Sequence, residues 1–314
     1  MPSITVFAPA SIGNFIVGFD VLGAAIKTDD RLLGDTLTIS DDKPAGYSAE
    51  GEFAFRLPQD KDNLVIKTAS FFNQQLALLQ PDIKAQKLTF KLSKNLPIGS
   101  GLGSSSSSIV ATLYGLNQWY QSPFSQDQLL LWSAKIEGGN AGAEHYDNVA
   151  PCLLGGLQLI NEEALPVCRR LPFFNNLYFA FCFPDIEITT RKAREVLPKT
   201  LTLQQAINMQ KRLATFTAAC FEHDQSSAIQ SLLDDSIQPS RQSLIPNFDQ
   251  AHQLALNNGA LAFAISGSGP TCFAVCPSQE IAQTLAPRLQ KTLQQGPHSF
   301  HWVSQIDELG ARLL

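Results

Sequence analysis

The residues best suited to chemistry lie in a glycine-serine stretch, Leu96-Pro97-Ile98-Gly99-Ser100-Gly101-Leu102-Gly103, followed by serine at every position from 104 to 108. Three glycines at alternate positions let the backbone adopt positive φ and let a ligand approach its amides. The serines open an apolar segment with Ile109, Leu113, Leu116 and Tyr120 at helical spacing. A helix is therefore expected to begin inside the run, capped by a serine. Unpaired amides and the positive dipole end at such a start suit a phosphate. A flexible linker would not be flanked by a strand-like run over 88–92 and an amphipathic helix. A Walker loop needs a lysine, and none stands between Lys94 and Lys135. A dinucleotide fingerprint would need glycine where Ser104 stands.

Three other groups stand out. Asn14 and Asp20 sit among Gly13, Gly18 and Gly23; on spacing alone they fit Asx-turns as well as a polar site. Glu137, His145, Asp147 and Asn148 fall within twelve residues, beside Gly138 and Gly139. Singly they would read as ordinary surface or core groups; together they read as a site. Arg194 and Arg241 each lie in a short polar segment, and an isolated arginine is ordinarily a solvated residue. Ser266-Gly267-Ser268-Gly269-Pro270 joins two apolar runs and fits a hairpin turn.

These groups need elements to hold them. Strands are expected over 4–9, 36–40, 88–92, 177–184 and 300–303, with a strand–turn–strand over 262–275. Helices are expected from 64, capped by Asp62 or Asn63, over 126–136 with an end at Glu137-Gly138-Gly139, and over 281–293. Thr189 or Thr190 is expected to cap a short helix carrying Arg194. Early strands followed by mixed elements indicate an α+β layout, with a junction near Arg169-Arg170-Leu171-Pro172. No repeat of fixed period is present.

Several of these segments resemble the GHMP small-molecule kinases. The stretch from Pro97 matches their P-x-x-x-G-L-G-S-S-[AS] phosphate loop, and 262–275 their third motif, [GA]-x-S-G-S-G-P-[ST]. The run from Ala8 to Asp20 matches A-P-x-S-x-x-N-x-G-x-G-F-D, with Ile16 where the family has glycine. Within the superfamily, E-x(7)-H-x-D-N-V-A-P from Glu137 and the segments around Arg194 and Arg241 resemble homoserine kinases. The resemblance implies a two-domain α+β GHMP kinase fold. Residues 1–165 would be ribosomal-protein-S5-domain-2-like with the phosphate loop, and 166–314 ferredoxin-like with the substrate arginines. It implies ATP and L-homoserine as substrates and Mg²⁺ as cofactor, in threonine biosynthesis. The ATP site would comprise Pro97, Ile98, Gly99, Ser100, Gly101, Leu102, Gly103, Ser104, Ser105, Ser106 and Ser107, and the metal ligands Ser105 and Glu137. Asn14, Asp20, His145 and Asn148 would line the amino-acid site, Asp20 taking the ammonium and Arg194 and Arg241 the carboxylate. Asn14, Asn148 and Glu137 would be catalytic. A side-chain general base stays open, because the aspartate-lysine pair of other GHMP kinases has no obvious lysine here. Another small alcohol such as mevalonate, or a nucleotide-binding sensor without turnover, are the alternatives, and a homodimer is open.

Composition narrows the setting. The 314 residues are 44% hydrophobic and 16% charged, which is globular, and the net charge of -5 disfavours a nucleic-acid surface. No apolar run is long enough for a membrane span, and the first residues lack a signal-peptide pattern. Six scattered cysteines fit neither a disulfide scaffold nor paired zinc motifs. Reduced thiols in a cytoplasm are expected.

Overall fold

The computed structural model describes residues 2–58, 62–141 and 144–314; Gly142 and Ala143, inside the second polar segment, lie outside the described residues. Two sheets form the frame. The first has five strands in the order Arg312–Leu313, Ser3–Pro9, Gly34–Ser40, Thr89–Ser93, Tyr47–Glu50, antiparallel except for the last pair. Val6, Ala8, Leu37, Ile39 and Leu92 are fully or almost fully buried, in one cluster with Ile109, Val110, Leu113 and Leu116 of the helix Ser104–Trp119. That helix also packs on the helices Leu64–Leu79 and Gln126–Ala141. The expected cap on Leu64–Leu79 is Asn63, whose Oδ1 accepts the Val65 amide at 2.9 Å.

The second sheet runs Ala262–Ile265, Cys272–Cys276, Tyr178–Phe183, Phe300–Ile306, Leu22–Lys27, Leu157–Ile160, Cys168–Leu171, with Ser11–Gly13 paired to Leu22–Lys27 off this path. Its central strands are apolar on both faces. In Tyr178–Phe183, Phe179, Phe181 and Phe183 join a cluster with Phe15, Phe216, Phe273 and Trp302. The alternate residues Ala180 and Cys182 face the helices Phe248–Asn257 and Gln279–Leu293. This period-2 division explains a continuous apolar run where a half-solvated strand would alternate. The sheet crosses residue 165, which lies in the turn between the paired strands Leu157–Ile160 and Cys168–Leu171. Among the described residues no helix is long and apolar enough to cross a membrane.

Two local expectations are corrected. The helix after the glycine loop is not serine-capped: Ser104 is already helical, and Gly103, at φ 66°, holds the cap position without a side-chain bond. The serine hydroxyls are used elsewhere: Ser104 on Leu96 O, Ser105 on Glu137, Ser107 on Ala8 O and Ser108 on Asp35. The second helix does not stop at Glu137-Gly138-Gly139 but continues to Ala141. Glycine lowers helix propensity by only about 1 kcal/mol, so it is tolerated inside a helix that tertiary contacts hold.

Candidate active site

The glycine loop is pinned through its carbonyls. Pro97 O accepts the Ser100 hydroxyl at 2.7 Å, Gly99 O the Ile188 amide at 3.2 Å, and Ser100 O the Thr271 amide at 3.1 Å. Gly101 O accepts the Ser266 hydroxyl at 2.7 Å, and Leu102 O the Ser11 amide at 3.1 Å. The first-turn amides of the following helix have no intrahelical partner and stay available to a ligand. Glycine is required twice on steric grounds. A Cβ at Gly101 would stand 2.2 Å from Ser266 O, and one at Gly103 2.1 Å from the Ser11 hydroxyl; both backbones have positive φ. The expected third motif thus packs directly on the loop.

A cavity of about 390 Å³ opens beside it. Ile98, Gly99, Ser100, Gly101, Gly103, Ser104, Ser105 and Ser106 line it; Pro97, Leu102 and Ser107 do not. Leu102 is buried in the aromatic core, and the Ser107 hydroxyl bridges Ala8 O and the Asp35 amide. Ser105 and Glu137 come together across two helices: the Ser105 hydroxyl donates to Glu137 Oε1 at 2.5 Å. Glu137 Oε2 is buried without a partner. Burial pushes the Glu137 carboxyl above its ordinary range, while Ser105 and the charge of Lys94 pull it back. A hydroxyl and an incompletely satisfied carboxylate at the phosphate loop fit Mg²⁺, which prefers hard oxygens and takes few protein ligands when phosphate supplies others.

The far end of the cavity gathers the remaining expected residues. Asn14 and Asp20 both have left-handed backbones, and Asn14 Oδ1 accepts the Asp20 amide at 2.7 Å, so this segment does make a side-chain-closed turn. The same turn aims the Asp20 carboxylate at Arg194, Oδ1 to guanidinium 2.7 Å. Arg194 also lies 3.3 Å from His145 Nδ1; its short helix, Thr190–Glu195, is capped by Thr189. Arg241 is buried and donates to Gly267 O at 2.6 Å, while its Nε has no partner. His145 Nε2 is likewise buried and unpartnered, and burial, then the charge of Arg194, hold that imidazole below its usual pKa. Phe19 lies under both guanidiniums, 5.7 Å from Arg194 and 5.2 Å from Arg241, within cation–π range. Asn148 accepts the Ser11 hydroxyl at 2.9 Å and lines the cavity.

Asp147 was visible in the sequence but given no task there. It is buried, accepts the Asn14 amide at 3.0 Å, and lines the same end. Desolvation and the nearby Asp20 charge raise its carboxyl to about 7, against the pull of Arg194 and the Asn14 amide. The sign follows from linkage. The folded value exceeds the unfolded one, so this group favours the fold below about pH 4, and that contribution is lost as pH rises through about 7. Asp35 and Lys94 carry no sequence signal as a site: they are 59 residues apart and meet only in the fold.

The chain matches the family model of the GHMP kinases N terminal domain over residues 63–156 and of the GHMP kinases C terminal domain over residues 216–295. A crystal structure of homoserine kinase from Cytophaga hutchinsonii is 35% identical, with a TM-score of 0.88 over 100% of this chain and 98% of that one. Two more distant structures share the fold. Mevalonate kinase from L. major, in complex with R-mevalonate, is 16% identical at TM-score 0.65, over 98% of this chain and 96% of that one. Phosphomevalonate kinase from Streptococcus pneumoniae is 12% identical at 0.67, over 96% and 99%. With both domain models matched in order and a full-length relative at this identity, the chain belongs to the GHMP kinases and has their two-domain α+β fold.

Proposed function

We propose that this kinase transfers the γ-phosphoryl group of ATP to the side-chain hydroxyl of L-homoserine, giving O-phospho-L-homoserine in the cytoplasmic synthesis of threonine. The observation that carries the reading is the charge pattern at the far end of the cavity. Asp20 and Arg194 pair at 2.7 Å, with the unpartnered Arg241 Nε and the buried Asp147 beside them. An anionic and a cationic group side by side complement a zwitterion: Asp20 receives the ammonium, and Arg194 and Arg241 the carboxylate. A neutral sugar would engage neither member of the Asp20–Arg194 pair, and mevalonate, with a carboxylate but no ammonium, only the arginines.

Phosphoryl transfer requires alignment and charge neutralisation more than covalent help. In this reading the loop amides hold the ATP phosphates, and Ser105 and Glu137 would hold Mg²⁺, which would supply neutralisation of phosphate charge. Asn14 and Asn148 position the substrate hydroxyl facing the γ-phosphorus. A bond forms from that oxygen to phosphorus as the bond to the β–γ bridging oxygen breaks, ADP leaving with the electron pair and the hydroxyl proton passing to a phosphoryl oxygen. The 35% identical homoserine kinase supports the substrate assignment.

ADP release measured by a coupled assay separates the alternatives. Homoserine is expected to drive turnover at least about tenfold faster than mevalonate or galactose, since an analogue lacking the ammonium or the carboxylate forgoes charged contacts that homoserine makes. Preference for either of the others overturns the substrate; nucleotide binding with no turnover on any of them makes the protein a sensor.

The Asp147 carboxyl gives a pH signature. An ammonium bound nearby stabilises the ionised carboxylate, so binding below pH 7 releases a proton. Homoserine is expected to bind about tenfold more weakly at pH 6 than at pH 8, from a group titrating near 7. Calorimetry in two buffers of different ionisation enthalpy reads the released proton directly. A flat profile without proton release would remove Asp147 from the ammonium site.

A further inference from the structure

One buried ion pair is not used by the chemistry above. Lys94, just after the strand Thr89–Ser93, and Asp35, in Gly34–Ser40, are 2.5 Å apart, with side chains 2% and 0% exposed. Lys94 Nζ also donates to Ser104 O at 2.6 Å and reaches the Ser108 hydroxyl at 3.0 Å, so its three donors are all engaged. Asp35 Oδ2 accepts the Ser108 hydroxyl at 2.8 Å, while Oδ1 accepts the amides of Asn95 at 3.1 Å and Leu96 at 3.4 Å.

These partners bracket the phosphate loop. Leu96 is the residue on which it begins, and Ser104 the one on which its helix starts. Asp35 holds the amide of the first, and Lys94 the carbonyl of the second. The Ser104 hydroxyl closes the ring on Leu96 O at 3.1 Å.

A buried ion pair is a weak source of stability, because desolvation offsets most of its attraction, and an apolar pair of similar volume often serves as well. A cation beside a helix N-terminus also opposes the dipole. What this pair supplies, and an apolar one cannot, is a fixed distance between the two ends of the loop. We infer that Asp35–Lys94 is the positioning device of the phosphate loop, setting its amides in the geometry that receives the ATP phosphates before ATP arrives. Neither residue touches the reacting atoms in this scheme. Lys94 also borders the cavity, and its charge reaches Glu137.

This rests on the loop being the nucleotide site, and the test separates the two claims. MgATP binding to the full chain is measured by calorimetry, with melting temperature and amide exchange over 96–108 as controls. The double variant Lys94→Met/Asp35→Leu removes both charges together. It is expected to fold with a melting temperature near wild type, to bind MgATP at least about tenfold more weakly, and to exchange loop amides faster. Homoserine KM at saturating ATP should move less than about threefold, since preorganisation is lost at the nucleotide end only. Ser108→Ala leaves the ion pair in place but removes a shared partner, and should weaken MgATP about threefold; it keeps the question open to measurement if the double variant does not fold. A folded double variant, or Ser108→Ala where that variant fails to fold, with wild-type MgATP affinity and loop exchange overturns the positioning role. Failure of the wild-type chain to bind MgATP overturns the nucleotide reading instead.

Discussion

Glu137→Gln is expected to lower kcat by about 10²–10³-fold, the cost of removing one charged contact to a phosphoryl transition state. The substitution keeps the side-chain shape and the bond to the Ser105 hydroxyl, so the ligand-free melting temperature should change little. It removes the negative charge that the unpartnered Oε2 offers the phosphate end of the cavity. The magnesium concentration needed for half-maximal rate should rise accordingly. Ser105→Ala should act in the same direction but more weakly, since water can replace a neutral oxygen. The readout is turnover at saturating ATP across a magnesium titration. Near-wild-type kcat with unchanged magnesium dependence in Glu137→Gln would place the ion elsewhere.

Arg241→Ala is expected to raise homoserine KM by an amount equal to about 2–5 kcal/mol, with a smaller effect on kcat. The guanidinium is buried, anchored to Gly267 O and resting on Phe19, with Nε left for a ligand. A carboxylate bound there is desolvated on both sides, which is why its loss is costly. Arg241→Lys should recover only part of the affinity, because an ammonium cannot reproduce the planar fork. The comparison of KM for homoserine and for ATP checks it: a matched rise in both would indicate general damage to the fold, and an unchanged homoserine KM would make Arg241 a structural residue.

What the sequence revealed follows from how local each constraint is. The phosphate loop was legible because positive φ and close approach at Gly101 and Gly103 leave no other residue type. Asn14 and Asp20 looked equally like turn chemistry and site chemistry, and they are both: one hydrogen bond closes the turn that presents the carboxylate. The serine cap was misread because a hydroxyl's partner depends on tertiary neighbours; four of these serines face other elements. The helix end was misread because each glycine costs a helix only about 1 kcal/mol, too little to stop this one. The Asp20–Arg194 contact joins residues 174 apart, and nothing in either segment foretells that the two would pair. Asp35 and Lys94 were silent for the same reason, each lying in or beside an unremarkable strand.

The second sheet has a consequence for how the chain reaches this state. Leu22–Lys27 pairs with Ser11–Gly13 nearby, with Leu157–Ile160 and, at Ile26 and Lys27 only, with Phe300–Ile306, so that last stretch of pairing waits for residues nearly a whole chain length away. Ser3–Pro9 likewise takes Arg312–Leu313 as an edge partner. Pairings so distant in sequence must close a long loop before they return any energy, which makes folding slow relative to stability. Until the Phe300–Ile306 pairing forms, Ile26, fully buried in the finished structure, lacks its partner there and offers an edge to other chains. The second sheet is therefore expected to order only once the last strands are made, whereas the first, whose other four strands all lie within residues 3–93, needs the far end of the chain for one edge strand alone.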